Sequence, residues 1–156
     1  MDECKSASRL SSIKDAIILM QTDTTVGFVS KNSLALYSAK SRLQTKPLIK
    51  VYKDFKSLLK NTRVYKNQKK FVRRSKKTTF IINKYSFRVA PWERESQILR
   101  DCSWFYSTSA NKSNEKFDRT FCEQKADIII EDIKGLVEKE SSTILKLNRL
   151  KKRKIR

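Results

Sequence analysis

The sequence has no histidine, two glycines, two prolines and three cysteines among its 156 residues. Without histidine, Ser-His-Asp and Cys-His catalysis, His-ligated zinc and an imidazole base are all excluded. The cysteines, Cys4, Cys102 and Cys122, are odd in number and form no CxxC pair. We therefore expect neither a disulfide framework nor a zinc ribbon. Any chemistry must depend on Lys, Arg, Ser, Thr, Asn and carboxylate side chains.

Long apolar runs are also missing. The longest, Ala16 to Met20, is far shorter than the ~20 residues that a membrane-spanning helix needs. The first residues include Asp2 and Glu3 and do not have the pattern of a secretory signal. These features predict a cytoplasmic protein with no membrane association.

Length and apolar content are sufficient for one folded domain. Hydrophobic residues make up 38% of the chain and aromatic residues 10%, which is enough to form a core. We expect a single domain over residues 1–156, because domains of roughly 100–150 residues are the most common. Within it, we expect a poorly patterned lead-in at 1–15 and a basic strand or tail at 146–156.

Positive charge is present in large excess. The chain has 36 Lys and Arg residues against 16 Asp and Glu, for a formal net charge of +20. Residues 40–77 hold 15 of these cations and one acid, Asp54, while residues 146–156 hold seven more cations. Such a field attracts polyanions, either nucleic acid or a nucleotide in a cleft. The alternative is that lysine-rich codon usage has placed cations on solvated surfaces.

Short apolar segments alternate with amphipathic ones along the chain. Asn32 or Ser33 and Asp54 are placed to cap two helices, and Phe117 and Phe121 share one face of another. Because strands and helices interleave, we predict an α/β fold with a mixed sheet. The predicted strands are 16–20, 26–29, 48–52, 78–82, 87–89, 104–108, 127–131, 143–147 and 153–156, and the predicted helical segments are 34–39, 55–59, 64–74, 93–101 and 114–124.

Five short motifs follow one another along the chain. Residues 21–28 read QTDTTVGF, and residues 40–48 contain KSR followed by KPL. Residues 79–89 contain TFII and then FRV, residues 107–111 read STSAN, and residues 142–144 read STI. Each motif alone is weak, but the order and the complete STSAN element make the combination specific.

These motifs resemble those of the YrdC-like family of threonylcarbamoyl-adenylate synthases, and the resemblance covers about residues 16–156. It implies one YrdC-like α/β domain with a twisted, mixed parallel and antiparallel sheet, flanking helices and a basic cleft. It also implies a nucleotidyltransferase that joins L-threonine, bicarbonate and ATP into threonylcarbamoyl-adenylate and pyrophosphate, with Mg²⁺ as the expected ion. A downstream threonylcarbamoyl transferase would use the adenylate to modify adenosine in tRNA.

The chain departs from the family pattern at several positions. Gln21 stands where the first motif usually has proline, residues 75–77 lack the usual proline and glycine, and Ala90 intervenes before Pro91. After the STSAN element, residues 112–114 replace the usual hydrophobic residue, serine and glycine. These differences predict weakened activity on an unchanged fold.

The resemblance assigns a role to each motif. Lys40 and Arg42 would contact the ATP phosphates, which both can do only if their helix ends there, and Ser109 and Asn111 would join them as catalytic residues. Asp23 is placed either to assist a magnesium ion through water or, as is more common for such an Asp, to cap a turn, and no direct metal ligand is assigned. The implied ATP-binding residues are Lys40, Arg42, Thr79, Ser107, Ser109, Asn111 and Ser142, and the implied threonine and bicarbonate residues are Thr22, Thr24, Lys46, Arg88 and Thr108.

Each assignment has a structural alternative. Lys40 and Arg42 are also compatible with solvated surface cations, and residues 107–111 with an Asx turn. Residues 22–25 are compatible with a β-turn, and Arg88 with a cation on an edge strand.

A rival function uses the same fold without catalysis. The family fold is associated with double-stranded RNA binding, and a fold does not determine a function. Such a protein would bind tRNA or ribosomal RNA, and a paralogue that retains only nucleotide binding is a third hypothesis. The candidate RNA contacts are Lys66, Lys69, Lys70, Arg73, Arg74, Lys76 and Lys77.

Overall fold

A computed structural model describes residues 13, 15–41, 44–90, 102–113 and 115–156. The strands in these residues are β1 (Ile18–Gln21), β2 (Val26–Ser30), β3 (Ile49–Tyr52), β4 (Thr78–Ile82), β5 (Tyr85–Val89), β6 (Trp104–Ser109), β7 (Ile128–Ile130), β8 (Thr143–Leu147) and β9 (Lys152–Lys154). The helices are α1 (Ser33–Ala39), α2 (Phe55–Asn61), α3 (Lys69–Arg74), which follows a 3₁₀ turn at Lys66–Gln68, and α4 (Arg119–Lys125).

The strands form one open sheet in the order β7-β1-β2-β6-β3-β5-β4-β8-β9. Three neighbouring pairs are parallel, namely β1 with β7, β3 with β5 and β4 with β8. The other neighbours are antiparallel. The predicted α/β class and its mixed, helix-flanked sheet are therefore confirmed.

Side-chain alternation gives the sheet two different faces, because successive residues of a strand point to opposite sides. One face, the helical face, carries a row of paired residues that includes Lys50, Phe87, Phe80 and Leu145, and on β2 the same face carries Phe28. The four helices described above contribute to the apolar clusters on this face, with Leu36 of α1, Leu58 of α2, Val72 of α3 and Cys122 of α4. The opposite face, the cleft face, carries small polar residues such as Ser86 and Ser107, beside a third apolar cluster that includes Val29 and Phe105.

The predicted helix caps are confirmed. Asn32 accepts a hydrogen bond from the Ala35 N–H at the start of α1, so it rather than Ser33 is the cap. Asp54 accepts one from the Ser57 N–H at 2.6 Å and begins α2. Side-chain oxygens at these positions satisfy N–H groups that have no partner inside the helix.

The helix predicted over 114–124 is shorter and starts later, at Arg119. Two contacts explain the difference. The Asn111 side chain donates to the Glu115 carbonyl, and the Asp118 carboxylate accepts from the Phe121 N–H and caps α4. Phe117 therefore precedes the helix, yet both it and Phe121 pack against the apolar core, as the sequence predicted.

The segment 127–131 was expected to be a buried strand, and this is wrong in part. It forms β7, but β7 lies at the edge of the sheet, so Ile129 is 44% exposed. The segment 64–74 is a 3₁₀ turn followed by the short helix α3 rather than one continuous element. The predicted helix at 93–101 lies outside the described residues.

Cys102 and Cys122 are free thiols, and both are buried. Burial raises the pKa of the Cys122 thiol to about 11, so it is un-ionised at neutral pH. Within the described ranges, every helix is too short or too polar to cross a membrane.

The Asp54 cap generates a prediction about stability and pH. Hydrogen bonding from the Ser57 backbone N–H holds the pKa of Asp54 below its ordinary value of 3.8. We expect Asp54→Ala to lower the free energy of unfolding by about 1 kcal/mol at pH 7. Because the folded pKa is depressed, this stabilisation is complete above pH 3.8 and is lost as the pH falls through the folded pKa. The difference between wild type and variant, measured by urea unfolding, should therefore shrink in acid.

Asp54→Asn is the matched control, because asparagine caps a helix but does not titrate. Its stability relative to wild type should change much less than that of Asp54→Ala at pH 7. A constant difference between wild type and Asp54→Ala down to pH values well below 3.8 would contradict the prediction.

Candidate functional site

A cleft of about 400 Å³ lies on the cleft face of the sheet, over its central strands. Its floor is built from residues paired across neighbouring strands, such as Gly27 with Ser109 and Ile49 with Ser107 and Ser86. These side chains are short, whereas large apolar groups occupy the alternate positions on the helical face. The cleft therefore exists because the polar half of each strand pattern leaves space unfilled.

Gly27 lines the cleft at a closely packed position. A Cβ atom at this position would lie 2.8 Å from the Thr22 methyl carbon and 3.3 Å from the Thr108 carbonyl oxygen. The first distance is shorter than carbon atoms tolerate, so a larger residue would displace the Thr22 side chain. The glycine in the first motif thus has a packing role next to the cleft.

The Lys40 side chain ties the end of α1 to the STSAN element. It is the C-cap residue of α1 and only 6% exposed. Its ammonium donates to the Ser109 carbonyl at 2.8 Å, to Ser109 Oγ at 2.7 Å and to Asn111 Oδ1 at 2.7 Å. An ammonium has three hydrogens, and three acceptors surround this one. In this arrangement Lys40 positions Ser109 and Asn111.

The helix does end at Lys40, as the phosphate-binding hypothesis required. Ser41 follows in the left-handed region with φ of 48°. Arg42 lies outside the described residues, so its predicted phosphate contact stays a prediction.

The hydroxyl-rich turn between β1 and β2 is held by its own side chains. Thr22 Oγ1 donates to the Thr25 carbonyl at 2.6 Å and lies 3.2 Å from Thr24 Oγ1. The β-turn interpretation is therefore correct as local structure. The same turn also faces the cleft with Thr22, Thr24 and Thr25.

Arg88 connects this turn to the middle of the sheet. Its guanidinium donates to Thr24 Oγ1 at 2.9 Å and forms an ion pair with Asp23 at 3.0 Å, while the side chain lines the cleft. Arg88 is 4% exposed and lies on β5, a central strand, so the edge-strand alternative is wrong. Burial lowers the pKa of Arg88 and Asp23 opposes that shift, so a charged guanidinium remains at neutral pH.

The far side of the cleft is formed by β4, β8 and the C-terminus. Thr79 and Ser142 are both buried, and their hydroxyl oxygens lie 2.8 Å apart. Arg156 follows β9, donates to the Ser142 carbonyl at 3.3 Å and lines the cleft. β9 is thus an edge strand, and Arg156, which follows it, lies at the cleft.

Most of the residues implied by the resemblance meet at this one cleft. Lys40 and Asn111 do not line the cleft, but both form hydrogen bonds with Ser109, which does. Arg42 lies outside the described residues. The implied residues that line it are Thr22, Thr24, Lys46, Thr79, Arg88, Ser107, Thr108, Ser109 and Ser142. Their catalytic and binding roles stay predictions.

Several lining residues were not among the predicted site residues, including Ser86, Ser141 and Arg156. Arg156 had a signal in the sequence, because it ends the basic strand predicted at 153–156. Ser86 had none: it falls outside the predicted strand 87–89, and only its pairing with Ile49 and Ile81 places it on the cleft face.

The described residues do not offer a preformed magnesium cage. No cluster of three or more His, Cys, Asp or Glu side chains occurs within them. Asp23, the candidate for a water-mediated contact, is instead ion-paired with Arg88. The expected Mg²⁺ therefore stays a prediction.

The fold matches solved structures closely. Two structures of P. abyssi Sua5, one a double variant and one complexed with L-threonine, match with TM-scores of 0.76 and 0.75 at 16% identity. They cover 100% of this chain but 57% and 54% of the Sua5 chains, so this chain spans little more than half the length of Sua5.

Two other solved structures share the fold. E. coli YciO matches with a TM-score of 0.73 and 14% identity, over 96% of this chain and 86% of its own. Full-length HypF in its phosphate- and nucleotide-bound form matches with a TM-score of 0.71 and 16% identity, over 97% of this chain and 28% of its own.

No protein-family model and no curated protein matches the sequence. The fold is nevertheless clear from the solved structures, because the sheet and its helices have the Sua5/YrdC fold. The resemblance in the sequence motifs is thereby confirmed at the level of the fold.

The contacts of Lys40 generate a second prediction. Lys40→Met keeps the length and apolar stem of the side chain but removes all three charge-assisted hydrogen bonds. The Ser109 and Asn111 acceptors would be left without this donor, so we expect a loss of about 2–4 kcal/mol in the free energy of unfolding. Urea unfolding at neutral pH measures this loss.

Lys112→Met is the control, because Lys112 is an exposed lysine close to the same element and pairs with Glu115 on the surface. Its effect should stay within about 0.5 kcal/mol. If both variants unfolded at the same urea concentration, Lys40 would not hold the STSAN element.

Proposed function

We propose that this protein forms threonylcarbamoyl-adenylate and pyrophosphate from L-threonine, bicarbonate and ATP, as a divergent threonylcarbamoyl-AMP synthase. The product would be handed to a downstream threonylcarbamoyl transferase for N6-threonylcarbamoyladenosine modification of tRNA. One observation carries the proposal: motifs spread from residue 21 to residue 144 converge on a single cleft of the Sua5/YrdC fold. The complex of Sua5 with L-threonine supports threonine as a ligand for a cleft of this fold.

The charge of the cleft suits these substrates. Lys46, Arg88 and Arg156 line it, and Asp23 next to it is already paired with Arg88. ATP, bicarbonate and the carboxylate of threonine are all anions. Cations and fixed hydroxyl donors in a partly enclosed site are what stabilise negative charge during phosphoryl-centre chemistry.

The two sides of the cleft divide the substrates between them. The Thr22–Thr25 turn and Arg88 offer hydroxyl groups and a guanidinium that match an amino-acid carboxylate. Thr79, Ser142 and Arg156 on the other side, with Ser109 between the two, would take the nucleotide and its phosphates. Formation of the adenylate then breaks the bond between the α- and β-phosphates of ATP and releases pyrophosphate.

The test is pyrophosphate release by the purified protein with ATP, Mg²⁺, bicarbonate and L-threonine. We expect release that depends on both threonine and bicarbonate, together with incorporation of labelled threonine into an adenylate. No dependence on threonine would refute the proposal. If tRNA were then bound tightly and in a strongly salt-dependent manner, the non-catalytic RNA-binding alternative would be favoured.

Two exposed cations of the cleft allow the site to be tested without disrupting the core. We expect Lys46→Ala and Arg156→Ala each to lower kcat/KM by about 10- to 100-fold, because each removes a charged contact to an anionic substrate. Lys134→Ala is the matched control, since it removes an exposed cation that does not line the cleft. Equal activity of all three variants would place the reaction elsewhere.

A further inference from the structure

A second cavity lies on the helical face of the sheet, on the side opposite the cleft. It is a groove of about 560 Å³ between α1 and the segment that follows α2. Tyr37, Tyr85 and Tyr106 line it together with Lys50 and other polar side chains. Of these residues, Tyr85 is 71% exposed, which is a large exposed fraction for an aromatic side chain.

Lys50 occupies an inward-facing position in this groove. It is paired with Tyr106 and Phe87 across the sheet, where the neighbouring positions carry aromatic rings. Its ammonium lies 3.8 Å from the centre of the Trp104 ring and 5.7 Å from that of Tyr106. Burial lowers the pKa of Lys50, because the half-buried ammonium is partly removed from water.

The groove continues into two further depressions. Asn61, Thr62 and Arg63 line both the groove and the next depression, which also contains Lys60 and Lys69. Arg63 and Lys69 are in turn shared with a third depression, lined by Lys66 and Arg149. The shared lining residues make the three cavities neighbours on one side of the molecule, and we call the surface that they form together the basic track.

The basic track is strongly and uniformly positive. No acidic residue lines any of its three depressions among the residues that the structure describes. The cations that line it are Lys50, Lys60, Arg63, Lys66, Lys69, Lys84 and Arg149. A path with this charge suits a polyanion, and its length suits a polymer rather than a mononucleotide.

The track also has features that favour a single strand over a duplex. The exposed ring of Tyr85 at one end offers a surface for stacking of an unpaired base, which a duplex does not expose. Ser33, Asn61 and Thr62 add hydrogen-bonding groups that can meet ribose hydroxyls. We propose that the basic track binds single-stranded RNA, with a base stacked on the exposed ring of Tyr85 and phosphates along the cations. This site is separate from the cleft of the proposed synthase.

The experiment measures binding of a single-stranded RNA of about 12 nucleotides, a length that single-strand-binding sites commonly cover. Fluorescence anisotropy compares it with single-stranded DNA of the same sequence and with duplex RNA, over a range of salt concentrations. We expect tightest binding to single-stranded RNA. Tyr85→Ala should weaken it about tenfold, whereas Tyr85→Phe, which keeps the ring, should bind nearly as well as wild type.

Arg63→Ala should weaken binding of all sequences and reduce the salt slope by about 0.7, as expected for one lost phosphate contact on a single strand. Lys134→Ala, an exposed cation away from the track, should not. Preference for duplex RNA or for DNA, or equal binding by Tyr85→Ala and wild type, would overturn the inference. Pyrophosphate release by Tyr85→Ala is measured in parallel, so that failure of RNA binding and failure of catalysis are separate results.

Discussion

Strand alternation is the constraint on which the rest of this structure depends. A single sheet has to bury its two larger apolar clusters on one face and keep the cleft on the other, next to a smaller cluster that includes Val29 and Phe105. Apolar and polar residues therefore alternate along the strands that border the cleft. On β4, Phe80 and Ile82 enter the core while Thr79 faces the cleft. A slip of one residue in register would exchange these roles and destroy the core and the cleft together.

Contacts distant in sequence hold the cleft in shape. Lys40 joins α1 to the end of β6, and Arg88 joins β5 to the turn after β1. Both cations are almost completely buried. Lys40 donates to three oxygens of the protein, whereas Arg88 contacts Thr24 and Asp23 and its buried Nε has no hydrogen-bond partner among the described residues. Buried charges with this many partners fix side chains more firmly than surface pairs do. The site is therefore largely preorganised, although it has no histidine and no described metal cluster.

The positive charge of the chain separates into two parts with different surroundings. A few cations belong to the cleft, where Asp23 and hydroxyl groups accompany them. A larger number lies on the helical side, in the basic track and on α3, whose Lys70, Arg73 and Arg74 are exposed. The sequence places these cations in two distant segments, and hydrogen bonds from Asn67 to Arg149 and from Gln68 to Asn148 bring the segments together.

The features that the sequence alone predicts are mostly those that depend on residues close together along the chain. The caps Asn32 and Asp54, the strand patterns and the motif order depend on neighbours along the chain, and these agree with the structure. Pairing decided the rest: β7 is half exposed because it lies at the sheet edge, and Ser86 and Arg156 reach the cleft only through strand partners. Lys40 shows the difference most clearly. Its sequence predicts a phosphate contact, but its acceptors lie 69 and 71 residues away, and only the folded chain brings them within hydrogen-bonding distance.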